Sequence, residues 1–210
     1  MNVDSSLLHH VIQLRRPWLD DVMLLASALG AGGFIWWVAA LIAGVFPAKR
    51  AAAWRMLLAV FVTWVVAELA MKPLVGRARP FEVDQSITVI DARPQTRSFP
   101  SGHAAMAVAG AIAGSRLIPH SAWLWWPLGA AVAISRVYVG VHWPTDVIAG
   151  MAIGGMAALF VIGGWPAQPP IAFGPFPTAS GPVSRSCRSS QSASLPTSDR
   201  PSARWPSDRG

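Results

Sequence analysis

The residues of this chain that could do chemistry fall in three short polar clusters, KPLVGRARP at 72–80, PSGH at 100–103 and SRVYVGVHWPTD at 135–146, each bordering an apolar stretch. They supply the cations Lys72, Arg79 and Arg136, the imidazoles of His103 and His142, the carboxylate of Asp146 and a Ser101-Gly102 turn. A phosphate ester near neutral pH is almost a dianion, and its loose transition state spreads charge over three oxygens. Preorganised cations and N–H donors must therefore do most of the stabilising. Lys72 suits that task as a point charge, Arg79 and Arg136 as bidentate guanidinium groups. Taken singly, each cation also fits interfacial snorkelling, and Arg77 reads as a solvated or headgroup-facing neighbour.

In PSGH, Ser101 is placed to cap a helix beginning near His103, and Gly102 lets the backbone approach an anion closely. A helix N-terminus with exposed N–H groups is a ready phosphate site. On its own the tetrapeptide is weak, and an N-cap with an incidental histidine is the plainer reading. In the third cluster, Pro144 fits the first turn of the next helix, and His142 and Asp146 stand four residues apart. That spacing lets the Asp146 carboxylate accept a hydrogen bond from one imidazole nitrogen of His142 and aim the other outward, as for an oriented nucleophile. A structural His-Asp pair is the alternative. His103 then has the chemistry of a general acid, able to protonate a leaving alkoxide and later to activate water.

The elements that must position these groups are apolar helices. Of the 210 residues, 53% are hydrophobic and 13% charged, with 11 Trp against one Tyr; the mean hydropathy is +0.42. This is the profile of an all-α, polytopic transmembrane helix bundle. Five apolar stretches, roughly 32–46, 54–71, 103–118, 122–139 and 146–164, are each near the length of a crossing. A further segment, 18–30, reads three ways: an interfacial helix, part of one long first span, or a short sixth crossing. Residues 1–17 form an N-terminal segment suited to the interface, 18–164 the transmembrane domain. The 165–210 tail, which holds half of the chain's prolines and is dense in Ser and Arg, is expected to be disordered. The glycine pairs Gly110/Gly114 and Gly150/Gly154 read as close helix packing.

Crossing parity carries the three clusters to one membrane face. The opposite face receives Lys49, Arg50, Arg55, Arg116 and the tail, so the positive-inside rule places the clusters on the extracytoplasmic side of a cell, or inner, membrane. The net charge of +7 forms no stripe or motif of a nucleic-acid binder. Cys187 is the lone cysteine, and no Cys/His grouping has zinc spacing. The N-terminus lacks the order of a cleaved signal peptide, so insertion is expected to be driven by the first span itself.

Together, K-x6-RP (Lys72, Arg79-Pro80), PSGH (100–103) and SR-x5-H-x3-D (Ser135-Arg136, His142, Asp146) resemble the three-part signature of the type 2 phosphatidic acid phosphatase (PAP2) superfamily of membrane lipid phosphatases. The resemblance extends over roughly 18–164. It implies a six-helix bundle, which favours a sixth crossing near the N-terminus. It also implies a covalent phosphohistidine on His142, with Asp146 orienting and His103 protonating the departing group. Lys72, Arg79, Ser101, the Gly102 backbone and Arg136 would hold the phosphoryl oxygens, with no metal and no cofactor. The implied substrate is a lipid phosphate or diphosphate: an isoprenyl diphosphate such as undecaprenyl diphosphate, phosphatidic acid or phosphatidylglycerol phosphate. Two competing expectations are a non-catalytic protein that binds or transports lipid phosphates, and a vanadate-dependent haloperoxidase-like enzyme using the same cradle.

Overall fold

The computed structural model describes residues 3–163. Cys187 and the 165–210 tail lie outside the described residues. Among those described there is no strand. The helices are α1 (Val3–Gln13), α2 (Pro17–Gly30), α3 (Phe34–Val45), α4 (Arg50–Trp64), α5 (Lys72–Val75), α6 (Pro80–Val83), α7 (Gly102–Leu117), α8 (Ala122–Tyr138) and α9 (Pro144–Gly163).

The helix boundaries follow local chemistry. Pro17 and Pro144 start α2 and α9, where a missing N–H costs nothing and the fixed φ suits the first turn. Between α2 and α3 the chain makes a 3₁₀ turn at Ala31–Gly33, where Gly32 and Gly33 take φ of 55° and 77°, a region that favours glycine. These two residues kink the chain, so α2 and α3 are separate helices within one apolar stretch of 29 residues, Pro17–Val45. Among the described residues, Pro47–Val83 and Pro144–Gly163 are the two other helical runs long and apolar enough to cross a bilayer. At 16 and 17 residues, α7 and α8 are shorter, roughly 25 Å at ~1.5 Å per residue. A π-helical turn, Val65–Met71, joins α4 to α5. Its wider winding resets which face the following residues present, Lys72 first.

The bundle is built around α7, which packs against α4, α8 and α9. Eleven of its 16 residues are buried, most of them Ala or Gly, and such small side chains let neighbouring backbones approach. Gly150 and Gly154 bring α9 onto the Ser101 and Ala105 carbonyls of α7, and Gly110 and Gly114 lie under Trp36 and Trp125. This contact fixes Asp146, in the first turn of α9, beside the N-terminus of α7. Outward, Leu41, Ile42, Trp54, Phe61, Ile148 and Phe160 are exposed, which gives the bundle an apolar surface suited to lipid.

A glycine pair on α9 tests this packing. Gly154 faces the Ala105 carbonyl with no room for a methyl group, whereas a Cβ on Gly155 would meet Val108 Cγ1 at 3.8 Å, an ordinary contact. Gly154→Ala should lower the Tm of the detergent-solubilised protein by several degrees. Gly155→Ala should hold or raise it, since alanine is worth about 0.5–1 kcal/mol over glycine inside a helix. Equal shifts in the two variants would contradict this account of the α7–α9 contact.

Candidate active site

The three clusters meet at one end of the bundle. Lys72, at the start of α5, and Arg79, the residue preceding α6, are both buried, with 6% and 1% of their surface exposed. Arg79 is fixed at its backbone by Glu82, whose Oε2 accepts from the Arg79 N–H at 2.7 Å. Its guanidinium then joins three stretches of chain. Nε donates to Thr96 O at 2.7 Å, Nη2 to Thr96 Oγ1 and Arg97 O, both at 3.2 Å, and Nη1 to Val141 O at 2.8 Å. Nη1 also stands 3.4 Å from His142 Nε2. A guanidinium has five N–H groups, and here all five face protein acceptors. Only the one on His142 meets a contact long enough to yield readily to another acceptor.

Arg136, near the end of α8, is 3% exposed. Its Nη1 donates to Ser27 Oγ and approaches Asp91 Oδ2 at 3.4 Å. Its Nε is buried without a hydrogen-bond partner, an unmet donor in a desolvated place. Beyond α8 the chain folds back, and the N–H groups of Val141 and His142 donate to Arg136 O at 3.3 and 3.2 Å. That fold places His142, 2% exposed, over the end of the helix.

Asp146 is fully buried. Its Oδ2 accepts from Ser98 Oγ at 2.5 Å and from the Trp143 N–H at 3.0 Å, and its Oδ1 from Arg77 Nη1 at 2.5 Å. The i, i+4 spacing brings His142 Nδ1 to within 3.7 Å of Asp146 Oδ2. That is an ion-pair separation rather than a hydrogen bond, and His142 Nδ1 is buried with no hydrogen-bond partner. Ser98 and the Trp143 N–H have taken the oxygen that the spacing argument assigned to the imidazole. Burial pushes the His142 imidazole down to about 3 against the pull of Asp146, with Arg79 and Arg136 adding to the depression. The ring is then neutral at physiological pH, with a free nitrogen lone pair.

At the N-terminus of α7, Ser101 Oγ accepts from the Ala104 N–H at 3.4 Å, and the Ser101 N–H donates to Asp146 O at 3.0 Å. His103 follows in the first turn of α7, within electrostatic reach of Arg136, His142, Lys72 and Arg79. Lys72, Arg79, Ser101, Gly102, His103, Arg136, His142 and Asp146 thus gather around one site. Among the described residues no three His, Cys, Asp or Glu side chains converge as ligands to a metal would.

Arg77 departs from the sequence reading. Although one third of its side chain is exposed, it is neither simply solvated nor turned to a headgroup. It bridges Asp146 to Asp4 Oδ2 at 2.7 Å and also reaches Thr145 Oγ1 at 2.7 Å. Asp4 in turn holds the Thr145 N–H at 3.0 Å and its Oγ1 at 2.5 Å, so α1 is tied to the start of α9. A buried carboxylate outcompetes water for the guanidinium because it has few other means of compensating its charge. Thr96, Ser98, Glu68 and Asp91 also touch the site and were not read from sequence. Of these, only Glu68, four residues before Lys72 on a helix, carried a local signal, the spacing of an i, i+4 ion pair.

Residues 50–168 match the PAP2 superfamily. The chain belongs to the PAP2 superfamily. It is 31% identical over 140 residues to an undecaprenyl-diphosphatase of Sulfolobus acidocaldarius, a match covering 65% of this chain and 66% of that one. It is 29% identical over 176 residues to phosphatidylglycerophosphatase B of Bacillus subtilis, covering 78% and 83%. The fold resembles that of LpxE from Aquifex aeolicus, with a TM-score of 0.70 at 23% identity, over 78% of this chain and 96% of that one. The Sulfolobus and Bacillus relatives are phosphatases by name, and the PAP2 match runs from α4 through α9 and includes all three clusters.

The protonation of His142 can be read directly. In protein labelled with 15N at histidine, the imidazole resonances missing from His142→Ala should show a neutral ring from pH 8 down to pH 5, below the ordinary titration range near ~6.5. A midpoint at or above 6 would mean that His142 is hydrated or hydrogen-bonded to Asp146 in solution.

Proposed function

We propose that this PAP2 protein is a membrane phosphatase that hydrolyses a lipid phosphate or diphosphate through a phosphohistidine on His142. The observation that carries the reading is the pair of unmet polar atoms at the buried centre of the site. Arg136 Nε lacks an acceptor, and His142 Nδ1 lacks a hydrogen-bond partner while His142 Nε2 faces Arg79. An anion bound there would take the free N–H of Arg136 and the remaining N–H of Lys72, and would draw the Arg79 N–H off His142. Ser101 and the Gly102 backbone at the helix N-terminus complete the grip.

His142 Nε2 then attacks phosphorus as the ester P–O bond breaks, and His103 gives its proton to the departing alcohol or phosphate. In the second half, His103 takes a proton from water, whose oxygen attacks the phosphohistidine, and inorganic phosphate leaves as His142 is regenerated. Asp146, held by Ser98, Arg77 and the Trp143 N–H, offers a fixed negative charge 3.7 Å from His142 Nδ1 to the cationic intermediate. Three buried cations take the place that a metal holds in other phosphatases, so the reaction needs none.

Isoprenyl diphosphates, phosphatidic acid and phosphatidylglycerol phosphate are the substrate candidates, supported by the names of the archaeal and Bacillus relatives. With Pro17–Val45 as a single span, the chain crosses the membrane five times and α1 lies at its surface. The site then sits on the extracytoplasmic face of the cell membrane by the distribution of Lys and Arg.

The test is phosphate release from a panel of lipid phosphates and diphosphates by purified protein. His142→Ala should lose at least about 10³-fold in kcat while retaining lipid-phosphate binding, with His103→Ala also severely impaired. EDTA should leave the rate unchanged. Turnover unaffected by His142→Ala would refute the nucleophile, and a rate abolished by EDTA and restored by Mg2+ would refute the metal-free reaction.

A further inference from the structure

Two carboxylates that the PAP2 resemblance does not name sit directly on the cations of the grip. Glu68 Oε2 accepts from Lys72 Nζ at 2.7 Å. The π-helical turn carries Glu68 against the start of α7, where a Cβ on Gly102 would meet Glu68 Oε1 and displace the carboxylate. Lys72 also donates to Thr96 Oγ1 at 3.0 Å, so two of its three N–H groups are used and one remains. On the other side, Asp91 Oδ2 lies 3.4 Å from Arg136 Nη1 and accepts from Ser27 Oγ at 2.5 Å. The Ala92 N–H donates to Asp91 Oδ1 at 2.7 Å. Arg79 differs, since carbonyl, hydroxyl and imidazole groups surround its guanidinium. Of these three buried cations, Lys72 and Arg136 thus carry a carboxylate within ion-pair distance and Arg79 does not.

We propose that Glu68 and Asp91 set the charge of the phosphate group the site accepts, favouring a phosphate monoester over the diphosphate of the same alcohol. The inference rests on the phosphatase reading above. A group bound by Lys72 and Arg136 lies within a few ångströms of both carboxylates, where partial burial leaves charge interactions strong. A diphosphate carries roughly one more negative charge than a monoester and is repelled more. The discrimination is therefore electrostatic and lies in residues that never bond to the substrate. Had the carboxylates served only to neutralise cations within an apolar bundle, removing their charge would change stability and leave selectivity alone.

The experiment compares kcat/KM for farnesyl monophosphate and farnesyl diphosphate, two substrates with one leaving alcohol, on the purified full-length protein in detergent. Glu68→Gln and Asp91→Asn should each raise the diphosphate-to-monophosphate ratio about three- to tenfold. Glu68→Asp, which keeps the charge, should leave the ratio near that of the unaltered protein. The two carboxylates lie on different segments, so loss of folding in one variant leaves the other to decide. A ratio unmoved or lowered in the variants that fold overturns the inference while the phosphatase reading stands. Failure of the unaltered protein to release phosphate from either ester overturns both.

Discussion

A guanidinium cannot be buried in an apolar bundle unless its five N–H groups find acceptors, and at Arg79 those acceptors come from segments far apart in the chain. Thr96 and Arg97 belong to the long connection before α7, and Val141 and His142 to the turn before α9. The cost of desolvating the cation is offset only when both segments close on it. The side chain that the signature presents as a phosphate ligand is thus also the tie that assembles the site. Its contact with His142, at 3.4 Å, is the longest of the five, so the frame is closed chiefly by the other four N–H groups.

The rest of the site obeys the same constraint with the sign of charge alternating. Asp146, wholly buried, takes its compensation from Ser98, Trp143 N–H and Arg77. Arg77 is compensated further by Asp4, Lys72 by Glu68 and Arg136 by Asp91 and Ser27. Lys72, Arg77, Arg136 and Asp146 each have an opposite charge within 3.4 Å, which offsets part of the cost of a low-dielectric setting. This chain of pairs is why an N-terminal helix outside the signature matters to the chemistry. Leu8 of α1 is fully buried in a cluster with Trp143 and Val147, and Asp4 reaches the N-terminus of α9, so α1 holds the turn in which His142 and Asp146 sit.

Much of the site was legible in the chain because its motifs are local. PSGH specifies a cap and a helix start within four residues, and His142-x-x-x-Asp146 specifies one face of a turn. The parity of apolar stretches then brings the clusters to one end. The helical class followed from hydropathy, and the glycines at Gly110, Gly114, Gly150 and Gly154 from the need for close packing. The kink between 18–30 and 34–45 was less visible, since a glycine pair is as compatible with a longer loop as with the single 3₁₀ turn that joins the two helices. The role of Arg77 was not visible at all. Its partners, Asp4 and Asp146, lie about 70 residues away on either side.

By itself the sequence determined which polar clusters come together, the helical class of the elements beside them and the end of the bundle where they meet, because each depends on spacing within one or two turns or on the parity of apolar stretches. Tertiary structure decided how those groups are paired. It set His142 at 3.7 Å from Asp146, tied all five N–H groups of Arg79 to the protein and placed carboxylates on Lys72 and Arg136. The physical reason is that a buried charge is compensated by whichever acceptor the packing of α7 against its neighbours brings within reach, and that choice is not written in local spacing.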